Sequence, residues 1–118
     1  MKYACLVYAE PGFHQRIPAE ELAALDRASL AYDDDLAKAG RLLAASALAA
    51  TSTATTIRVR GGKVLSTDGP FAETKEVLCG FVFIEAADDA EARRIAEGIP
   101  MARYGTIEVR QELIIGSS

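Results

Sequence analysis

Tryptophan is missing from the 118 residues, histidine occurs once, and cysteine occurs only at positions 5 and 79. The two cysteines sit among apolar neighbours with no Cys-x-x-Cys spacing, which argues against redox or metal work. No metal is expected, because a zinc site built from His14, scattered carboxylates and these thiols has no recognisable ligand spacing. Basic residues are few: 13 Lys and Arg stand against 17 Asp and Glu, a net charge of −4, with no basic run. Nucleic acid is therefore not an expected ligand, since binding to it depends on neutralising phosphates. No stretch approaches the roughly twenty apolar residues of a membrane-spanning helix. The opening run Tyr3 to Tyr8 is also too short for the hydrophobic part of a signal peptide. A cytoplasmic protein without membrane contact is expected. G-x-G-x-x-G, G-x-x-x-x-G-K-[ST] and G-x-S-x-G are all absent, so no cofactor is expected.

What is present is a chain of single-domain size, read as one domain over 1–118 with 115–118 as a loose tail. Half of its residues are apolar in the broad sense but only 7% are aromatic, so Ala, Leu, Val and Ile must build the core. Tyr3 to Tyr8, apolar on both faces and followed by Pro11-Gly12, predicts a buried first strand. From Pro18 the period changes. Leu22, Leu25, Ser29, Tyr32, Leu36 and Ala39 recur at helical spacing, with Glu20, Asp26, Arg27, Asp34 and Lys38 on the remaining surface and Gly40 as the stop. Leu42 to Ala45 reads either as a crossing segment or as a short strand.

Thr53 to Arg60 and Lys63 to Asp68 flank Gly61-Gly62, which predicts a hairpin with a two-residue turn, Arg60 facing Lys63 and Val59 facing Val64. Val77 to Glu85 is a second strand apolar on both faces, in which Gly80 marks a bulge or a close backbone approach. Asp88 and Glu91 have the spacing of a capping box for a second helix through Ala92, Ile95, Ala96 and Ile99. Thr106 to Leu113 alternates as a last strand, with Ile107, Val109 and Leu113 on one face. This order suits an α+β sheet carrying both helices on one side. The other side would then expose the apolar first strand and Phe81-Val82-Phe83-Ile84, so a second copy is the expected cover. The competing possibility is that the hairpin folds back over its own sheet.

Ionisable and turn-forming residues are densest from Thr67 to Glu76. Read as a site, Asp68 is a general base or orienting carboxylate, Lys75 an electrostatic anchor, and Glu73 and Glu76 acidic partners. Read as structure, Asp68 accepts backbone hydrogen bonds at the turn, Phe71 plugs the core and the charges face solvent. His14, in a loop-like segment, is the natural proton carrier of an enzyme or simply a packed loop residue. Arg103 and Tyr104 form a second candidate rim, able to hold an anion or, equally, to finish the second helix.

Asp68-Gly69-Pro70-Phe71, extended through Ala72-Glu73-Thr74-Lys75-Glu76, resembles the signature of the DGPF proteins within the YCII-related family. Met1-Lys2-Tyr3, Ser52 to Thr56, and Ile99 to Gly105 followed by Ile107 to Arg110 extend the resemblance to nearly full length. The resemblance implies a ferredoxin-like antiparallel sheet with two helices on one face and an extra β-hairpin, dimeric through the sheet faces, and a cleft lined partly by the signature segment. It matches Asp68 to the signature aspartate, while His14 is not matched to the histidine of enzyme-like relatives. Some of those relatives resemble small-molecule enzymes with a histidine and aspartate pair, one type acting by elimination in chlorinated aromatic breakdown. Genes of DGPF-like proteins lie beside those of extracytoplasmic-function sigma factors, which implies a regulatory partner of that type. Two functions are expected from all this. One is a dimeric binding or accessory domain with a small-molecule cleft. The other is a cofactor-free lyase or hydrolase-like enzyme, with Asp68 as base on an anionic or phenolic substrate.

Overall fold

A computed structural model describes residues 1–116, so the tail expected at 115–118 lies partly outside the described residues; Ile115 is 92% exposed. Three helices and six strands follow in the order β1 (Lys2–Ala9), α1 (Phe13–Arg16), α2 (Ala19–Lys38), β2 (Leu42–Ala47), β3 (Thr55–Arg60), β4 (Lys63–Asp68), β5 (Val77–Glu85), α3 (Asp89–Gly98), β6 (Thr106–Gln111). Four strands make one antiparallel sheet in the order β2-β5-β1-β6, and β3 and β4 form a separate two-stranded sheet. The fold is α+β.

Strand alternation divides the large sheet into two faces. Tyr3, Cys5 and Val7 of β1 and Val82 and Ile84 of β5 are buried under Leu36 of α2 and Ala92, Ile95 and Ala96 of α3. Ala9, Phe13 and Leu25 make a smaller cluster at the end where α1 enters. On the opposite face the register aligns Ala4 with Phe83, Leu6 with Phe81 and Tyr8 with Leu78. Nothing of the described chain covers this row, and Phe83 and Leu78 remain more than a third exposed. β6 contributes Thr106, Glu108 and Arg110 there, so the open face is apolar in the middle and polar at one edge.

The hairpin has the expected register, with Arg60 opposite Lys63 and Val59 opposite Val64. Gly61 and Gly62 both have positive φ, 55° and 77°, as a primed two-residue turn requires. It does not fold back over its own sheet: Ile57, Val59 and Val64 share one face of it, and all three are more than half exposed. The radius of gyration, 16.3 Å, exceeds the roughly 13–14 Å of a compact chain of this length, as a projecting arm would cause.

Other local expectations meet the structure with small changes. Pro18 occupies the position before α2 rather than its first turn, and Gly40, with φ 72°, follows its end. Asp88 Oδ1 accepts from the Glu91 amide at 2.9 Å, but Glu91 Oε1 accepts in return from the Ala87 amide rather than from that of Asp88. Leu42–Ala47 is a strand, paired with β5. The last strand ends at Gln111, so Leu113 does not continue the row of Ile107 and Val109; it is 82% exposed. Both readings of Gly80 meet the structure: the β1–β5 register shifts beside it, passing from Val7–Gly80 to Tyr8–Leu78, and a Cβ there would stand 3.0 Å from the Ser46 carbonyl oxygen.

Cys5 has no exposed surface, and burial pushes its thiol up to about 11 from 9.0. The folded chain therefore keeps this proton where the unfolded chain has lost it. The stability Cys5 contributes is complete below pH 9 and falls as pH rises toward 11, by about 2–3 kcal/mol. Burial raises Cys79 and Tyr32 in the same direction. Urea titrations at pH 8 and 10.5 should show this fall, and Cys5→Ala should flatten much of it; an unchanged slope would show that Cys5 is solvated.

Candidate functional site

Small residues on one edge strand create the space for a site. β2 presents Ala45 and Ala47 toward the helices, and Gly80 of β5 lies beside them. None of these can fill the gap beneath the long helix. What results is a cavity of about 430 Å³ between α2 and the β2–β5 edge, walled by Val7, Leu25, Phe81, Val82, Ile99 and Met101. Its polar lining comes mainly from Asp26, Ser29 and Asp33, at i, i+3 and i+7 along one ridge of α2. Asp26 is at the exposed rim, whereas Ser29 and Asp33 are half-buried. Desolvation holds the Asp33 carboxyl above its ordinary range. Neither aspartate pairs with a cation among the described residues.

His14 completes this lining and also faces a second cavity of about 300 Å³, bounded by Glu10 to Gln15, Leu48 to Ser52 and Val77 to Cys79. The segment read as a loop is in fact the short helix α1. Its first residue, Phe13, is buried and meets the rings of His14 and Tyr104 edge-on, each at 5.3 Å between centroids. Arg16 braces the turn by donating to the Pro11 carbonyl at 3.0 Å and pairing with Glu10 at 3.2 Å. Cys79 lines both cavities beside His14. Its thiol donates to the Val7 carbonyl, and burial raises it above its ordinary range, so it stays a thiol and is a poor nucleophile at neutral pH.

The residues singled out in the sequence fall into three places. Asp68, Phe71, Glu73 and Lys75 are exposed at the exit of the hairpin and line neither cavity; Phe71 is 77% exposed rather than a core plug. Glu76, half-buried, comes near enough for its charge to act on Cys79. Arg103 is exposed away from both cavities, while Tyr104 donates to Glu21 Oε1 at 2.6 Å and joins α1 to the first turn of α2. That bond is the main reason the Tyr104 phenol is shifted up. In the sequence Asp26 and Ser29 stand out only as positions around a helix, and Asp33 does not stand out at all. Their shared ridge is visible in the spacing, but the gap beside it depends on strands at least a dozen residues away. Among the described residues no three His, Cys, Asp or Glu side chains cluster as metal ligands, and no helix is long and apolar enough to cross a membrane.

The Asp68 carboxylate makes no hydrogen bond among the described residues. The turn is tied instead by the Gly69 amide donating to the Ala54 carbonyl at 2.7 Å and by Thr56 Oγ1 donating to the Gly69 carbonyl at 2.8 Å. Asp68→Ala should therefore stay within about 0.5 kcal/mol of wild type. Thr56→Val, which keeps the strand shape and removes the donor, should lose about 1 kcal/mol. Urea denaturation of both variants checks the order, and the reverse ranking would return the turn to Asp68.

A family model described as the YCII-related domain matches residues 1–113. The chain is also similar to an uncharacterized protein of Rhizobium meliloti (strain 1021), 36% identical over 112 residues, covering 93% of this chain and 90% of the relative.

Proposed function

The chain belongs to the YCII-related domain family, and we propose that it acts as a small dimeric binding or accessory domain whose small-molecule cleft is the cavity between α2 and β2. The order β2-β5-β1-β6, with the α2 and α3 crossovers on one face, supports a ferredoxin-like reading of the sheet. The uncovered row of Ala4, Leu6, Tyr8, Leu78, Phe81 and Phe83 supports pairing with a second copy through the sheet faces. Sedimentation at micromolar concentration should give twice the chain mass, and a monomer would overturn the pairing.

The cavity itself carries the cleft reading. It has the size of a small-molecule site, mostly apolar walls, and a few polar groups gathered on one side. Crystals soaked with mixed small acids, phenols and amines should repeatedly show density between Ser29 and Ala45. Density confined to the loop of Asp68 to Glu76 would move the site to the signature segment, and an empty cavity would leave an interaction module.

The second reading, a cofactor-free lyase or hydrolase-like enzyme, draws support from His14, an exposed residue that lines both cavities. In that reading the proton carrier on the described chain is His14. Asp68 takes part only if a second copy brings its hairpin to the cleft.

A further inference from the structure

We infer that the cavity between α2 and β2 selects a ligand with an apolar body and a cationic head, a small protonated amine, over anions of the same shape. This rests on the cleft reading above and adds the charge class of what the cleft takes. The lining contains Asp26 and Asp33 but no Lys or Arg. An anion entering it would leave water with no Lys or Arg to meet it, His14 being the one basic residue of the lining, and would face two carboxylates, so desolvation and repulsion both oppose it. A cation gains what the chain does not supply, because neither carboxylate has a cationic partner among the described residues. Position strengthens the point. Asp26 stands at the rim and Asp33 a little under two turns further along the same ridge, half-buried, with Ser29 between them as a further hydrogen-bonding group.

The opposite wall is apolar: Ala45, Ala47, Val82 and Met101 offer hydrocarbon contact to the body of the ligand while its head faces α2. The basic residues that the sequence offered as anchors for an anion, Lys75 and Arg103, line neither cavity. Desolvation of the Asp33 carboxyl agrees with a group that an incoming ammonium would relieve. A volume of about 430 Å³ accommodates one ring and a short chain.

Three probes with one hydrocarbon body test this on the wild-type protein: 2-phenylethylamine, 2-phenylethanol and phenylacetate, titrated at neutral pH and 150 mM salt. Amide shifts at Ala45, Ser46 and Met101 report occupancy of the cavity. The amine should bind at least tenfold more tightly than the alcohol, and phenylacetate most weakly. The double substitution Asp26→Asn with Asp33→Asn should bring the amine to the level of the alcohol while leaving the alcohol within about twofold. Alcohol or phenylacetate binding in the cavity as tightly as the amine would overturn the charge class and leave the cleft standing. No cavity shifts with any probe would overturn the cleft and this inference together. An amine preference that survives in the double variant would overturn the assignment to these two aspartates. The wild-type comparison decides the charge class even if the double variant folds poorly.

Discussion

Phe83→Asp is expected to yield a folded monomer, with the dimer dissociation constant raised by two to three orders of magnitude. Phe83 lies in the middle of the open sheet face, opposite Ala4 on one side and Ala44 on the other. Its ring stacks on Phe81, 4.7 Å between centroids, so the two phenylalanines stand as one ridge, with Leu6 and Ser46 flanking Phe81. An exposed aromatic ridge of this kind is a natural central anchor for the proposed pairing. Replacing such a central anchor usually costs about 2–4 kcal/mol, and each 1.4 kcal/mol is tenfold in the dissociation constant. In the proposed pair two-fold symmetry would bring two aspartates to the seam, each buried without a partner. In the single chain the same position is 38% exposed, so the carboxylate keeps its water and the fold survives. The lost strand preference costs about 1 kcal/mol at most. Sedimentation and a thermal melt separate the two consequences. A variant that remains dimeric at micromolar concentration would mean that the sheet face is not the seam, and one that cannot fold would mean that Phe83 is buried within its own chain.

The elements readable in the sequence were those whose evidence is local. Apolar runs bounded by turn residues marked β1 and β5, a three-and-four spacing marked α2, and paired glycines with positive φ fixed the register of the hairpin. α1 escaped because four residues are too few to show a period, and its stability comes from Phe13 packing under Tyr104, a contact across ninety positions of the chain. Leu113 misled because alternation runs on past Gln111 although the sheet ends there. The cavity had no local signature. It exists because Ala45, Ala47 and Gly80 are small where a helix ridge passes over them, and only the tertiary register brings those facts together. The Asp68 to Glu76 segment drew notice through its density of turn and charged residues. That density records how the chain leaves an exposed hairpin; in the single chain none of Asp68 to Glu76 lines either cavity, and the wall of the second begins at Val77.

Gly105→Ala should be among the most damaging substitutions that add a single carbon, for a reason no helix or strand pattern records. Gly105 follows the 3₁₀ turn at Pro100–Arg103 and precedes β6, with its amide donating to the Met101 carbonyl at 2.8 Å. Its φ lies outside the positive region, so alanine is conformationally allowed there. The obstacle is contact. An added Cβ would press on the carbonyl oxygen of Tyr8, with Tyr8 C at 3.1 Å and Ala9 Cα at 3.4 Å. All three are backbone atoms of the central strand β1, and backbone cannot rotate away as the end of a side chain can. Relief requires β6 to move off β1, beginning at the Tyr8–Thr106 pair and loosening the segment that leads to Phe13 and His14. Overpacking against a fixed neighbour costs about 3 kcal/mol or somewhat more, which lowers the melting temperature by roughly 10 °C in a domain of this size. Gly40→Ala provides the control. Nothing lies within 4 Å of its Cβ position, but its φ is +72°, so its loss should be only about 1 kcal/mol and purely conformational. Thermal melts of the two variants should rank Gly105→Ala well below Gly40→Ala. Equal melts would show that the β1 and β6 backbones stand further apart at Tyr8 than this geometry places them.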